Sequence, residues 1–232
     1  MSSDMPPQRT PQPARRPRRP SARFWANATV IGLALIVLVV IVVVGRAQSI
    51  SKQAAAPAVT RADSRILQKA ATDKVTVVEF LDFECEACAA AYPVVEQLRK
   101  QFAGRVTFVA RYFPIPSHKN AMNAALAAEA AGRQGKFNQM YATLFETQTQ
   151  WAEKQDDQSP ALRSLAQAIG LDMTRYDADL TDPTLKIRVT KDQTDGVQLG
   201  VAGTPAFFLN GEKVSVTSQD QFAAELEKAW RR

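Results

Sequence analysis

The chain has 232 residues, with 29 Lys and Arg against 23 Asp and Glu, one histidine and two cysteines, for a formal net charge of +6. Six arginines and one aspartate lie before residue 24, a net +5, which leaves only +1 for everything after it. The basic balance therefore belongs to the first residues, and without a basic stripe interleaved with aromatics the rest does not read as a nucleic-acid binder. Structural zinc is also disfavoured, because two cysteines and one histidine fall short of four good ligands.

Residues 1–23 are rich in Pro and Arg, nearly free of apolar side chains, and read as a disordered basic tail. Phe24 to Gly45 follows as 22 residues without a charge, aliphatic from Val30 to Val44. At about 1.5 Å per residue such a helix spans roughly 33 Å, enough for a bilayer core. A cleavable signal has an apolar region of only about 7–15 residues, and no small-x-small site precedes Arg46, so an uncleaved transmembrane signal-anchor is expected. Positive charge on its N-terminal side keeps the tail in the cytoplasm and sends the remainder across the membrane. Residues 46–60 read as a polar tether, and 61–232 are long enough for one domain with a full core.

Within that domain, residues 62–71 read as a short leading helix. Val75 to Leu81 is an apolar run with the character of a buried strand, and a helix is expected from about Cys85 to Phe102, with Ala91, Val94, Val95, Leu98 and Phe102 at helical spacing. Gly104 closes the helix as a residue able to take positive φ. Val106 to Phe113 is a second strand, stopped by Pro114 and Pro116. Strand, helix, strand over so short a length implies a parallel pair. About 80 residues of helix come next, in segments 120–131, 135–148, 160–169, 173–180 and 183–199. Strand character returns at 205–209, turns at Asn210-Gly211, and continues through 213–216, a hairpin signal. A last helix starts at Ser218 or Gln219 with Phe222, Leu226 and Trp230 on one face.

The two cysteines stand three apart, as Cys85-Glu86-Ala87-Cys88, between the first strand and its helix. Unpaired backbone N–H groups and the helix dipole stabilise a thiolate at such a place. With no third cysteine, each is the other's natural intrachain partner, which is the layout of a thiol–disulfide exchange site.

These features resemble the thioredoxin superfamily and, within it, the DsbA-like thiol–disulfide oxidoreductases. The resemblance rests on the C-x-x-C pair after a strand, on Gly203-Thr204-Pro205-Ala206, which is similar to the cis-proline loop, and on the helical insertion at about 118–199. Phe113-Pro114, His118 and Gly135-Lys136-Phe137 are similar to membrane-anchored and secreted members. It implies an α/β thioredoxin-like fold with a DsbA-type helical insertion, preceded by one transmembrane helix. It further implies Cys85 as the attacking thiolate, Cys88 as the resolving thiol, Glu79 as a buried acid moving protons near Cys88, and Thr204 and Pro205 facing the redox-active disulfide. For Glu79 the ordinary alternative is a strand-end carboxylate paired with a lysine.

The Glu86-Ala87 dipeptide departs from the Pro-His of strong oxidases and the Gly-Pro of thioredoxins. Glu84 and Glu86 bracket Cys85 and oppose thiolate formation, while the helix start favours it; the sequence does not sum these. A pair less oxidising than a Pro-His enzyme is expected. His118 reads as a capping or core histidine rather than a partner for cysteine, and 153–157 as a solvated charged loop rather than a cation site. No cofactor and no metal is expected. The reading is an extracytoplasmic disulfide exchanger, an oxidase before a reductase or isomerase. Its substrates would be thiols of exported or membrane proteins, and its partner a membrane-embedded, quinone-linked DsbB-like protein. A non-enzymatic, membrane-tethered thioredoxin-like chaperone stands as the alternative from another class.

Overall fold

The structure is a computed structural model and describes residues 58–232. The basic tail, the apolar span Phe24–Gly45 and nearly all of the tether lie outside the described residues. Among the described residues no helix is long and apolar enough to cross a membrane.

Five strands form one sheet: β1 (Arg65–Gln68), β2 (Thr76–Leu81), β3 (Thr107–Tyr112), β4 (Ala206–Leu209) and β5 (Glu212–Val214), in the order β1-β3-β2-β4-β5. β2 and β3 are parallel, with Val78 opposite Val109, and the other pairs are antiparallel. The parallel pair needs a crossover, which α1 (Glu86–Gln101) supplies. Gly104 takes φ +75° just beyond that helix.

Between β3 and β4 come α2 (Ala121–Arg133), α3 (Phe137–Glu146), the single turn α4 (Gln148–Trp151), α5 (Ser159–Ala168), α6 (Met173–Thr181) and α7 (Pro183–Gln198). This is the expected helical insertion. The hairpin turns at Asn210 (φ +51°) and Gly211 (φ +90°), and α8 (Gln219–Arg231) closes the chain, capped by the Ser218 side chain accepting from Gln221 N.

The period-two pleat divides the side chains of the central strands between two cores. Val77, Leu81, Phe83, Phe108, Ala110 and Tyr112 pack with α1, the insertion and α8, while Val78, Phe80, Val109, Phe113 and Phe208 form the second face. Gly196 of α7 is where that second face is tightest. A Cβ there would stand 2.6 Å from the Phe113 ring and 3.1 Å from Phe80, so only glycine lets α7 approach this closely.

Arg111 of β3 points into the same layer and is fully buried. Its Nε and Nη2 donate to Asp192 and Asp195 of α7 at 2.6 Å each, and its Nη1 donates to the carbonyls of Ala58 and Val59 at 2.8 and 2.9 Å. A buried guanidinium is tolerated only when paired and hydrogen-bonded in this way, and losing one partner would strand a charge. The group joins the sheet, the insertion and the segment leading into the domain.

One expected element is different. Residues 62–71 do not form a helix; Arg65–Gln68 is the edge strand β1, antiparallel to β3 with Arg65 opposite Ala110 and Ile66 opposite Val109. The cause is tertiary. Arg65 is ion-paired to Glu129 of α2, while Arg99 and Asn138 donate to the Leu67 carbonyl at 2.6 and 2.9 Å. These partners lie far along the chain and override local helix propensity.

Candidate redox site

β2 ends at Leu81, four residues form a loop, and α1 begins at Glu86 with Cys85 as its N-cap, in extended backbone (φ −71°, ψ 122°). Both cysteines are thiols, Cys85 9% exposed and Cys88 completely buried one turn deeper. Glu86 and Ala87 face solvent.

The Cys85 thiol is lowered to about 5 from an ordinary value near 9. Hydrogen bonding from the Cys88 thiol is the largest cause; burial opposes it, and the Thr204 hydroxyl and the N–H groups of Cys88 and Ala87 add to the lowering. The Thr204 hydroxyl is buried without another hydrogen-bond partner among the described residues, which leaves it free to turn toward Cys85 Sγ. Cys88 moves the opposite way, well above its ordinary value, first through burial, then through its bond to Cys85 and the nearby Glu79 charge. The reduced pair is thus poised as one thiolate and one thiol, with the thiolate on the less buried sulfur.

Thr204–Pro205 is a cis peptide, and the Thr204 carbonyl accepts from the Cys85 thiol at 3.5 Å. Pro205 stands immediately before β4, so this loop and the start of α1 face each other across the reactive sulfur.

Glu79 sits on the first face of β2 and is 3% exposed. Its Oε2 has no hydrogen-bond partner among the described residues, and its carboxyl is pushed up to about 8, mainly by burial and then by Glu96. Its charge raises Cys88, and among the described residues no lysine forms an ion pair with it.

Glu84 resolves the competition that the sequence leaves open. It is buried and turned into the insertion, its carboxylate accepting from Asn120 N at 2.6 Å and Glu153 N at 3.0 Å. With Glu84 held by backbone donors and Glu86 in water, the donors at the start of α1 dominate at Cys85.

Two positions not singled out from the sequence hold the loop. Asp82, buried, accepts from Glu84 N and Ile115 N at 2.8 Å and lies 2.8 Å from His118 Nδ1. Gln148 donates from Nε2 to the carbonyls of Phe83 (2.8 Å) and Cys85 (2.9 Å). Asp82 carried a faint signal, as a carboxylate at the end of a buried strand; Gln148 carried none. His118 is engaged with Asp82. Among the described residues there is no cluster of three or more groups able to ligate a metal.

Residues 68–228 match the family model described as thioredoxin. A Na(+)/H(+) antiporter NhaA 1 of Salinispora arenicola is 39% identical over 142 residues, covering 60% of this chain but 20% of that protein. The chain thus spans about a fifth of the length of the curated relatives it matches. Among solved structures, a thioredoxin-like oxidoreductase from Silicibacter pomeroyi superposes with a TM-score of 0.64 at 25% identity, covering 76% of this chain and 97% of that one. The alpha-DsbA1 of Wolbachia pipientis gives 0.65 at 16% identity, covering 74% and 93%, a likeness of fold alone.

Proposed function

This chain belongs to the thioredoxin family, and on that basis we propose that it exchanges disulfides with protein thiols through Cys85 and Cys88, most directly as an oxidase. The observation that carries the reading is the split between the two thiols, Cys85 drawn down to about 5 and Cys88 pushed up. A thiolate stabilised in the reduced pair makes the disulfide a better oxidant.

In the oxidising direction a substrate thiolate attacks Cys85 Sγ. The new bond joins substrate sulfur to Cys85, the Cys85–Cys88 bond breaks, and its electron pair goes to Cys88 Sγ, which takes a proton from Glu79. A second substrate thiolate then attacks the substrate sulfur of the mixed disulfide, and Cys85 leaves as the stabilised thiolate. Thr204 and Pro205 present the backbone along which an extended substrate lies.

The membrane side of the proposal rests on sequence. The uncharged span Phe24–Gly45 anchors the chain with the domain on the extracytoplasmic side, and a membrane-embedded, quinone-linked partner returns the pair to its disulfide. The antiporter relative is matched over a fifth of its length, so ion transport forms no part of the proposal.

Equilibration of the domain with glutathione tests the direction of flow. A Cys85 value near 5 falls between about 7 in thioredoxin and about 3.5 in DsbA. The potential is accordingly expected between about −270 and about −120 mV, above roughly −200 mV for an oxidase. A value near about −270 mV would make the protein a reductase fed with electrons from elsewhere.

A further inference from the structure

Glu79 presents a problem that disulfide exchange must solve. Each time Cys88 takes or gives up a proton through this carboxyl, the proton has to be exchanged with solvent, yet Glu79 is buried under the sheet. We propose that Tyr141, together with the Glu96–Arg99 pair, forms the path along which Glu79 exchanges its proton with water; the proposal rests on the disulfide-exchange reading.

Three buried side-chain atoms on this side of the sheet lack a hydrogen-bond partner among the described residues: Glu79 Oε2, Tyr141 Oη and Arg99 Nε. Buried polar atoms are paired in the great majority of cases, so three orphans in one region call for a shared explanation. They come from three elements that meet here. Glu79 lies on the face of β2 that packs against α1, Arg99 is on α1, and Tyr141 is on α3, with its ring 5.5 Å from Tyr92 and 6.1 Å from Phe83. The Tyr141 hydroxyl feels the charges of Glu79, Glu96, Arg99 and Tyr92, and Glu79 feels Glu96, so the groups lie within electrostatic reach of one another. One donor, one acceptor and one hydroxyl that is both supply the two to four polar partners that a buried water requires.

The seam has an outlet. Arg99 is ion-paired to Glu96 and donates from Nη2 to the Leu67 carbonyl at 2.6 Å; the two side chains are 16% and 26% exposed. The other titratable groups here are Cys88 and Tyr92 on α1 and Glu146 on α3. Tyr92 donates to Glu146 Oε1 at 3.0 Å, so its hydroxyl proton is committed to the surface. Tyr141 has no such commitment. Burial holds its hydroxyl well above the ordinary tyrosine value, so it passes a proton by receiving one as it gives one, without dwelling as tyrosinate.

The steps balance. When Cys88 leaves the disulfide as thiolate, the Glu79 proton moves to Cys88 Sγ. Glu79 is then a buried carboxylate, and one proton enters from solvent past Glu96, through water and the Tyr141 hydroxyl, to restore it. Oxidation runs the same protons outward.

The test uses the full chain, reduced and freed of reductant, with excess oxidised glutathione, following single-turnover oxidation between pH 5 and 9. In this direction Glu79, protonated below about 8, must send its proton to water before it takes the one from Cys88. Tyr141→Phe, which removes only an unpaired hydroxyl, and Glu96→Gln, at a partly exposed position, are each expected to slow the reaction about tenfold below pH 8. The reduction potential and Cys85 titration of Tyr141→Phe should stay at the wild-type values, which a merely structural defect would not leave in place; Glu96→Gln also takes away a charge that raises Glu79, so only its Cys85 titration is held to that standard. Wild-type pH–rate profiles in a folded Tyr141→Phe would overturn the path. Were that variant unfolded, Glu96→Gln would decide in the same way. A wild-type chain that oxidised glutathione cannot oxidise would instead refute the exchange reading itself.

Discussion

Replacing Cys85 by Ser abolishes disulfide exchange down to the uncatalysed background, whereas Cys88→Ser keeps only the attack of Cys85 on a substrate disulfide and stops at the mixed disulfide. The asymmetry follows from position. Cys85 is the less buried sulfur, its thiolate held by the Cys88 thiol and the N–H groups of Cys88 and Ala87; Cys88 is completely buried and protonated. Without Cys85 no mixed disulfide forms. Without Cys88, a mixed disulfide on Cys85 has no internal thiol to close it and accumulates. Cys88→Ala, which unlike Ser leaves no donor, takes away the main hydrogen bond to the Cys85 thiolate, so its Cys85 titration should move back toward the ordinary thiol range. Non-reducing gels and mass spectrometry with a disulfide-containing substrate, whose bond the Cys85 thiolate opens by releasing one substrate thiolate, read both outcomes. Retained function in Cys85→Ser would leave a non-enzymatic binding module as the better account.

Glu79→Gln has the second large effect, and its sign depends on pH. The folded carboxyl is raised from 4.5 to about 8, so between those values the folded state holds a proton that the unfolded state has released. The contribution of Glu79 is fully present below its unfolded value and is lost as pH rises through about 8. Gln carries no such proton. The variant should therefore gain stability relative to wild type as pH rises from 4.5, by on the order of 3 kcal/mol at pH 7. Denaturant unfolding of the oxidised domain at several pH values isolates this term, because the cysteines do not then titrate and the constant cost of burying the amide cancels. The same variant should slow proton transfer at Cys88 by about a hundredfold, the low end of general acid–base contributions. Parallel pH–stability curves for the two proteins would mean that Glu79 is not buried as a neutral acid.

The parts of this molecule that were legible in its sequence are those fixed by local signals. The C-x-x-C pair after an apolar run, the glycine closing α1, the Asn210-Gly211 hairpin and the Ser218 cap each act within a few residues. What was hidden depends on distant partners. Arg65–Gln68 became a strand because β3, Glu129, Arg99 and Asn138 all engage it. Glu84 looked like a charge opposing the Cys85 thiolate until its oxygens were seen to be taken by Asn120 N and Glu153 N. Gln148, which holds the carbonyls of Phe83 and Cys85, is 63 residues from Cys85 and sits in no recognisable pattern. Arg111 reads as one charge in an apolar strand, and only the placement of Asp192 and Asp195 on α7 explains how it can be buried.

The central claim is that the start of α1 and the Cys88 thiol together hold Cys85 as a thiolate at neutral pH. Titrating the reduced domain while following the ultraviolet absorbance of the thiolate, alongside the alkylation rate of Cys85, measures this directly. A single midpoint near 5, with Cys88 remaining protonated well past neutrality, is the expected result. A midpoint close to the ordinary thiol value of about 9 would contradict the account and leave the pair without an activated sulfur.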